Sequence, residues 1–391
     1  MSRTERDACP GALRVHAAAD GGLARVRVPG GALTPEQFRA LGSAAAELAD
    51  GTLELTSRAN FQVRGLAAGA EHELAERLSQ AGLLPSVTHE RVRNIIASPY
   101  GNGLLDARAV AGEIDRILCA TPRLAELSGR FLFAVDDGSA DVIALRPDVG
   151  LFALEPDVVA LVLAGRDSCA RSTPDAAAGL AIAAAEAFLD LRAGQEWRMS
   201  ELADAGRVAA RLGPTGEPVE VPATPPATHA QVGAVFERDG RVTAAVGAPL
   251  GRLSRRQVDI ITAASEAAGG LRPTPWRTLV LPGLPVAAAA RWLSELDANG
   301  LVVDPSAAAA GVTACTGRPG CAKALADVRA DARRVPAGDL PVHWSGCARR
   351  CGRPQGRVVE VLATEAGYEV DGEFRTSDEV PAALGAARRK R

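Results

Sequence analysis

Hydrophobic and polar positions near the start of the chain follow two different periods. Val26 and Val28, like Leu53 and Leu55, lie two positions apart, which is typical of strands with one buried face. Between these segments, apolar residues recur at spacings of three and four, at Phe38, Leu41, Ala45 and Leu48. The pattern therefore predicts a strand, a Pro-Gly-Gly turn, an amphipathic helix and a second strand.

The same order of elements recurs about 218 residues further along the chain. Thr56 aligns with Thr274, and Gly65 aligns with Gly283. Two such segments could look alike by chance, but the shared order, lengths and end points favour a duplicated module over a solenoid array.

A Pro-rich segment divides the chain into unequal parts. Five prolines fall between Pro214 and Pro226, a composition that favours an extended linker. The basic end, Arg388–Arg391, is expected to be disordered. The predicted organisation in chain order is a first half-domain (10–75), a mixed α/β domain (85–212), the linker (213–230), a second half-domain (231–298), a cysteine-containing domain (303–372) and a C-terminal tail (373–391).

Composition excludes several classes of protein. Of the 391 residues, 47% are apolar and 23% are charged, which excludes a mostly disordered chain. The formal charge of −3 and the aromatic content of 4% argue against a nucleic-acid partner. We find no apolar signal segment and no bilayer-spanning stretch, so we expect a cytoplasmic protein with no membrane partner.

Four of the seven cysteines crowd into residues 315–351. Cys315 and Cys321 form a Cys-x5-Cys pair, and Cys347 and Cys351 form a Cys-x3-Cys pair. A five-residue gap is long for a zinc knuckle, whereas an iron–sulfur cubane accepts wider spacing. The spacing favours a [4Fe–4S] cluster, and it leaves a zinc site and disulfides or unreactive thiols open as alternatives.

Polar side chains recur along the last strand of the first copy. Thr56, Arg58, Asn60, Gln62 and Arg64 fall at every second position, which predicts that they share one strand face. Such a face suits a ligand with several carboxylates, because arginine pairs with carboxylate through two hydrogen bonds. The alternative is an ordinary solvated face. The second copy lacks this pattern, and its Trp276 and Arg277 are consistent with packing.

Taken together, these segments resemble the nitrite/sulfite reductase family over about residues 12–370. The resemblance implies an α+β fold with a duplicated architecture, in which each of two ferredoxin-like half-domains is followed by an α/β domain that binds a cluster or a tetrapyrrole. The matching segments are RVPGG (27–31), TSRANFQVR (56–64), RVRN (91–94), GRF (129–131) and the two cysteine pairs.

The resemblance also implies roles for particular residues. Cys315, Cys321, Cys347 and Cys351 would ligate a [4Fe–4S] cluster. Leu132 stands where sulfite reductases have a further basic residue, a departure that argues against reduction of a small anion. The residues implied to hold the tetrapyrrole carboxylates or the ligand at its iron are Arg27, Arg58, Gln62, Arg64, Arg93 and Arg130.

Within the family, the chain is most similar to the member that acts in aerobic cobalamin synthesis. The closest passages are VTACTGRPGCAKALADVRADA, LPVHWSGCARRCGRP and LRPTPWRTLVLPGL. The resemblance implies oxygen-dependent hydroxylation of precorrin-3A at C20 with lactone formation. The substrates would be precorrin-3A and O₂, and an external donor, either a ferredoxin or an NAD(P)H-linked reductase, would supply the electrons.

Three features of the chemistry stay open at this point. The metal that activates oxygen is not identified, and a mononuclear iron is one option. No catalytic acid or base is assigned. The alternatives are a sirohaem-dependent nitrite or sulfite reductase, in which sirohaem is a cofactor, and a zinc- or cluster-stabilised binding module without activity.

Overall fold

The computed structural model describes residues 7, 9–101, 103–225, 232–237 and 240–389, which fold into interspersed helices and strands. In this part of the chain the helices are α1 Pro35–Leu48, α2 Glu71–Gln80, α3 Ala107–Ala120, α4 Pro174–Leu191, α5 Gly206–Leu212, α6 Arg255–Ala268, α7 Val286–Ala298, α8 Val328–Asp331 and α9 Val380–Ala387. The strands are β1 His16–Ala18, β2 Gly21–Val26, β3 Leu53–Leu55, β4 Phe61–Leu66, β5 Ile95–Ala97, β6 Phe133–Asp136, β7 Val149–Glu155, β8 Val158–Leu163, β9 Arg166–Ser172, β10 Gly233–Phe236, β11 Val242–Gly247, β12 Arg252–Leu253, β13 Arg272–Pro273, β14 Thr278–Leu284, β15 Val312–Ala314, β16 Val342–Ser345, β17 Val359–Ala363, β18 Tyr368–Val370 and β19 Glu373–Arg375. The predicted α+β class is confirmed.

The chain folds into two compact units, and each unit combines segments that are far apart in the sequence. Unit 1 comprises the described residues of Met1–His16, Arg25–Leu33 and Ala75–His229. Unit 2 comprises those of Ala17–Ala24, Thr34–Leu74 and Ala230–Arg391. Most of the first predicted half-domain therefore lies in the same unit as the second half-domain.

Unit 1 is built on a five-stranded sheet of order β5-β6-β7-β8-β9. β5, β6 and β7 pair in parallel, and β8 and β9 continue the sheet antiparallel. Parallel neighbours need a crossover connection, and α3 lies in the one between β5 and β6. The buried core joins α3 and α4 to this sheet, and Phe131 packs there with ring centroids 5.3 Å from Phe133 and 5.0 Å from Phe188.

Unit 2 combines elements of both copies of the repeat. β12 of the second copy pairs antiparallel with β3 of the first, with Arg252 opposite Glu54, and extends the sheet β1-β2-β4-β3-β12. The second copy also has its own sheet, of order β10-β11-β14-β13. Helices α1 and α6 approach so closely that a Cβ on Gly42 would lie 2.4 Å from Val258 Cγ1.

The two copies share their helix caps as well as their order. α1 and α6 are both 14 residues long. Thr34 closes a capping box with Gln37, and Ser254 closes the equivalent box with Gln257. The predicted duplication is therefore confirmed at the level of individual hydrogen bonds.

The third sheet of unit 2, of order β15-β16-β17-β18-β19, carries the cysteine loops. β15, β16 and β17 are parallel, and β18 and β19 are antiparallel. Trp344 and Tyr368 pack edge to face in its core, with ring centroids 5.2 Å apart.

The segment predicted as a C-terminal tail is folded over its described residues. It contains β19 and α9, and α9 buries Val380 and Leu384 in the core of the third sheet. Arg388, expected at a disordered end, is only 1% exposed. The expectation fails there because this side chain has buried partners that the sequence does not reveal. Lys390 and Arg391 lie outside the described residues, as does the 226–230 end of the predicted linker.

None of the helices in the described part of the chain has both the length and the apolar character needed to cross a membrane.

Candidate functional site

The two cysteine pairs lie on loops that leave neighbouring parallel strands. β15 ends at Ala314, directly before Cys315, and β16 ends at Ser345, two residues before Cys347. Ala314 lies opposite Trp344, and the Cys315 N–H donates to Trp344 O at 2.9 Å. Because the carboxyl ends of parallel strands meet at one edge of a sheet, the two loops start side by side.

Backbone hydrogen bonds connect the two cysteine loops. The Gly346 N–H donates to Cys315 Sγ at 3.1 Å, and Gly346 O accepts from the Leu325 N–H at 2.8 Å. A side chain would not fit at Gly346, because its Cβ would lie 2.8 Å from the Cβ of Ala324. An N–H group directed at a cysteine sulfur stabilises the thiolate, which is the form that binds metal.

The four cysteines are free thiols close enough to influence one another. Cys351 is exposed, and the other three are partly buried. Partial desolvation of the Cys351 thiol raises its pKa, and the thiols of Cys315, Cys347 and Cys321 raise it further, whereas Arg349 lowers it. The other three cysteines are therefore close enough to influence the pKa of Cys351.

Zinc and a cubane cluster both use cysteine thiolates as ligands. Within the described ranges, no group of three or more His, Cys, Asp and Glu side chains is placed to hold one metal ion. A zinc site needs all its ligands about 2.0–2.3 Å from one ion. A cubane binds one thiolate to each of its irons, so its ligands stay farther apart. Free thiols on two connected loops, with an N–H directed at one sulfur, supply the donor set of a cubane, and the [4Fe–4S] cluster stays a prediction.

His343 supports the second cysteine pair from β16. The residue is 1% exposed, its Nε2 lies 3.2 Å from Cys351 O, and its Nδ1 lies 2.9 Å from Thr313 Oγ1. Burial lowers the pKa of His343 to about 3, so the imidazole is neutral. Since a carbonyl oxygen only accepts, Nε2 donates to the carbonyl oxygen of Cys351. The ring therefore fixes the backbone beside a predicted ligand.

The single polar strand face predicted for the first copy is not formed. β3 ends at Leu55 and β4 begins at Phe61, so residues 56–60 form the hairpin turn between them. The Thr56 N–H donates to Asn60 O at 2.9 Å across this turn. The period of two holds only for extended backbone, so a prediction that extends it through a turn is wrong.

Two of the predicted tetrapyrrole residues lie in or beside this hairpin. Arg58 is half-buried in the turn, where its backbone N–H donates to Thr56 Oγ1 at 3.3 Å. Gln62 is half-buried on β4, and its Nε2 donates to Glu54 Oε2 at 3.3 Å. Both residues lie in unit 2, as the four cysteines do.

Arg64 has its guanidinium engaged by protein groups. Nε and Nη2 donate to the two carboxylate oxygens of Asp20, at 3.0 and 2.9 Å. Nη2 also donates to Gly320 O at 3.0 Å, directly before Cys321. Arg64 is 5% exposed, so this side chain faces the cluster loop within the protein rather than an open ligand surface.

Arg27 and Arg93, in unit 1, are buried in the same manner. Arg27 donates to Asn94 Oδ1 at 2.9 Å and to Gly129 O at 3.0 Å. Arg93 binds the Asp115 carboxylate through two hydrogen bonds, of 2.8 and 2.7 Å. Each guanidinium has several protein acceptors, so binding a ligand carboxylate would require an exchange of partners.

Arg130 is the most exposed of the six predicted tetrapyrrole residues. It lies in unit 1, with its guanidinium carbon 5.0 Å from the ring centroid of Trp197. Two residues further on, Leu132 is 4% exposed, and its N–H donates to Asp148 Oδ2 at 2.8 Å. The position that is basic in sulfite reductases is therefore apolar and buried here.

Sequence reasoning missed Arg277, which lies in the hairpin turn of the second copy. The Thr274 N–H donates to Thr278 O at 2.9 Å, as Thr56 does to Asn60 in the first copy. Arg277 has a φ of 61°, and Ala59 at the equivalent position has a φ of 53°. Its Nη2 donates to Gly352 O at 2.7 Å, directly after Cys351. The sequence contains no signal for this position, because neither alanine nor arginine is typical of left-handed backbone.

A buried charge cluster lies next to this turn in unit 2. Glu54 is 5% exposed and pairs with Arg329 at 2.7 Å and with Arg252 at 3.4 Å. A cavity of about 540 Å³ in the same unit is lined by these two arginines and by Arg333. None of the residues predicted from the sequence lines this cavity, and two of its three arginines are paired with Glu54.

Three buried aspartates lie at and beyond the end of β6 in unit 1. Asp136 accepts four backbone N–H groups, at 2.9–3.0 Å, which accounts for both of its oxygens. Asp141 accepts from Ser98 Oγ at 2.7 Å. Burial raises the pKa of Asp141 to about 7, and the neighbouring Asp136 and Asp137 add to the shift. The hydrogen bonds to Asp136 and Asp141 stabilise the loop that follows β6, so we interpret these aspartates as structural.

Comparisons with known proteins agree with the resemblance predicted from the sequence. Residues 16–81 match the family model of the nitrite/sulfite reductase ferredoxin-like half domain. The chain is 26% identical to a precorrin-3B synthase from Sinorhizobium sp, over 94% of this chain and 83% of the relative. It is 24% identical to a ferredoxin–nitrite reductase from Synechococcus elongatus, over 90% and 78% of the two chains.

Two further relatives extend this picture. A ferredoxin-dependent sulfite reductase from Mycolicibacterium paratuberculosis is 26% identical, over 85% of this chain and 68% of its own length. The structure of the NirA protein of Mycobacterium tuberculosis has a TM-score of 0.72 at 22% identity, over 92% of this chain and 79% of that one. The chain thus has the fold of this family, and it is similar to oxidoreductases.

Proposed function

We propose that this protein is an iron–sulfur monooxygenase that hydroxylates precorrin-3A at C20 and closes a lactone from the ring A acetate. The observation that carries the proposal is the pair of connected cysteine loops, in a chain similar to a precorrin-3B synthase over 94% of its length. The relative's name supplies the reaction, and the loops supply a site for the redox group.

The four cysteines would hold a [4Fe–4S] cluster, which supplies single electrons when bound. The chain's own contribution is to keep the thiolates in place. The Gly346 N–H donates to Cys315 Sγ, and His343 holds the carbonyl of Cys351. These contacts restrain one sulfur and one ligand backbone before any cluster binds.

The electron balance requires a partner protein. Hydroxylation puts one oxygen atom of O₂ on carbon and the other in water, and it consumes two electrons and two protons. The sequence has no nucleotide-binding fingerprint, so we propose an external donor, a ferredoxin or an NAD(P)H-linked reductase. Arg349 is exposed, as is Cys351, so the positive charge of its guanidinium lies at the accessible side of the cysteine loops.

For substrate carboxylates in unit 2, we propose Arg58 as the first contact, with Gln62 beside it. Arg58 is half-buried in the turn, whereas Arg64 is only 5% exposed. Arg27, Arg93 and Arg130 stay predictions of the resemblance. Replacing Arg58 by Ala removes a charged hydrogen-bond donor, which is worth about 1.5–3 kcal/mol, so a carboxylated tetrapyrrole should bind about 10–100-fold more weakly.

The matched control for Arg58→Ala is Arg39→Ala, which removes an exposed arginine from α1. Both variants are titrated with the same tetrapyrrole, and their iron content is measured in parallel. Equal affinities in the two variants would show that Arg58 is an ordinary surface residue.

A sirohaem-dependent nitrite or sulfite reductase is the second candidate, and the relatives from Synechococcus elongatus and Mycolicibacterium paratuberculosis favour it. The buried Leu132 argues against it, because a six-electron reductase needs clustered cations around its small anion. A mononuclear iron for oxygen activation stays part of the monooxygenase hypothesis.

The deciding experiment uses anaerobically purified protein from cells that make sirohaem. Iron, sulfide and absorption spectra are measured first, and precorrin-3A, a reduced donor and ¹⁸O₂ are then supplied. We expect about four irons per chain, no sirohaem bands and one labelled oxygen atom in the product. Sirohaem bands with nitrite or sulfite consumption, and no oxygen transfer, would overturn the monooxygenase proposal in favour of the reductase.

A further inference from the structure

Each copy of the repeat sends one buried arginine to the backbone beside one cysteine pair. From the first copy, Arg64 Nη2 donates to Gly320 O at 3.0 Å, one residue before Cys321. From the second copy, Arg277 Nη2 donates to Gly352 O at 2.7 Å, one residue after Cys351. The two arginines therefore hold opposite cysteine loops within unit 2.

Both contacts are built into their surroundings. Arg64 is oriented by its two hydrogen bonds to Asp20, and a Cβ on Gly320 would lie 2.6 Å from Asp20 Oδ2. Gly352 has a φ of 80°, and a Cβ there would lie 2.6 Å from Arg277 Nη2. A glycine is required at each contacted position, because any side chain would displace the arginine or its partner.

We propose that Arg64 and Arg277 are positioning residues that clamp the Cys321 and Cys351 loops in the arrangement that receives the cluster. The inference rests on the proposed function, because it needs the four cysteines to bind a cluster. It assigns Arg64 a role other than the substrate contact implied by the resemblance, and it assigns Arg277 a role where the sequence indicated only packing.

The two arginines differ in whether a carboxylate neutralises them, and this difference allows the two contacts to be tested independently. Arg64 is neutralised by Asp20, which binds it at 2.9 Å. Arg277 is 7% exposed, and the acceptor it reaches is a carbonyl, while Glu54 beyond it is paired with Arg329 and Arg252. Burial lowers the pKa of Arg277 to about 10, which still leaves it charged at neutral pH. Among the described residues no carboxylate forms an ion pair with Arg277, and Glu54, which stabilises its charge, is shared with two other arginines. Net positive charge therefore lies next to the cysteine loop, and such a charge favours the reduced, more negative cluster.

The test compares Arg64→Gln, Arg277→Gln and Arg277→Lys with Arg333→Gln, which removes an exposed arginine of the same unit. Each protein is purified anaerobically, its iron and sulfide are counted, and iron release to a chelator is timed. The potential of the cluster is then measured by electron paramagnetic resonance during a redox titration. None of these readouts depends on enzymatic activity.

We expect Arg64→Gln and Arg277→Gln to release iron at least about tenfold faster than Arg333→Gln, as loss of a hydrogen bond from a charged group implies. Arg277→Gln should also make reduction about tenfold less favourable, a potential lower by about 59 mV, while Arg64→Gln should leave the potential near that of the wild type. Arg277→Lys keeps the charge, so it should restore the potential.

Iron release and potential equal to those of Arg333→Gln in all three variants would overturn the clamp. If a Gln variant does not fold, Gly320→Ala and Gly352→Ala carry the test of iron release, because their Cβ atoms would displace the same contacts, and unchanged release in both refutes the inference. A wild-type chain that holds no iron and no sulfide would instead overturn the proposed function, so the two failures are distinguishable.

Discussion

Arg388 provides the sharpest test of how the third sheet is held together. Its side chain is 1% exposed near the C-terminus. The guanidinium donates to five backbone carbonyl oxygens, which belong to Ala308, Ala310, Pro336, Gly338 and Leu340, at 2.6–3.1 Å. Replacing Arg388 by Ala removes every one of these donors at once.

The size of the effect follows from these contacts. A hydrogen bond to a charged group contributes about 1.5–3 kcal/mol, and a carbonyl left buried without a donor carries a similar penalty. The five bonds belong to one network and do not add, and the desolvation of the guanidinium offsets part of their sum. A net loss equal to two of these charged hydrogen bonds lowers the local unfolding free energy of Arg388→Ala by about 3–6 kcal/mol.

Hydrogen exchange of the β16 and β17 amides measures this quantity directly. Two compact units do not guarantee one cooperative transition, so a single melting temperature would be ambiguous. A loss of about 3–6 kcal/mol speeds exchange by about 10²–10⁴-fold. Arg389→Ala removes the exposed neighbouring arginine and is the matched control, with an expected effect within about 0.5 kcal/mol. Exchange in Arg388→Ala within about threefold of this control would refute the reasoning.

Three further outcomes are expected. Cys347→Ser should purify without iron and sulfide, and a normal iron content would remove Cys347 from the ligand set. The folded pKa of Asp141 is about 7, above its ordinary 3.8, so the native state loses stability as pH rises from about 4 to 7, at about 1.4 kcal/mol per unit at most. Asp141→Asn should remove that decline in urea unfolding, and parallel pH profiles would contradict the assignment. Gly42→Ala should cost about 1–3 kcal/mol despite the better helix propensity of alanine, because its Cβ would lie 2.4 Å from Val258 Cγ1. Adding Val258→Ala should recover part of that loss, and a Gly42→Ala variant as stable as the wild type would exclude the clash.

Local patterns predicted the repeat well. The capping residues Thr34 and Ser254 and the equivalent hairpins at Thr56 and Thr274 are short-range features, so aligned segments contain enough information to place them. The cysteine spacing identified two pairs, which the structure places on neighbouring loops, and their role as cluster ligands stays a prediction. The error at residues 56–64 is also local, since alternation was extended through a turn.

The roles of the arginines could not be read in the same way. Arg64 was predicted to lie on a carboxylate-binding face, and the resemblance implied a similar role for Arg93, yet each binds a carboxylate of its own chain, at Asp20 and Asp115. Arg277 had no pattern of its own to distinguish it from a packing residue. The sequence does not distinguish an arginine that binds a ligand from one that binds an internal carboxylate or a backbone carbonyl.

The sequence by itself determined the elements, the duplication and the two cysteine pairs, because periodicity, capping and ligand spacing act over a few residues. Tertiary structure alone decided that the first half-domain divides between two units and that Arg388 is buried rather than disordered. It also decided that Gly320 and Gly352 receive buried arginines from hairpins far away in sequence. The physical reason is that desolvation and charge pairing depend on which groups the fold brings within about 3 Å of one another, at separations that no local pattern encodes.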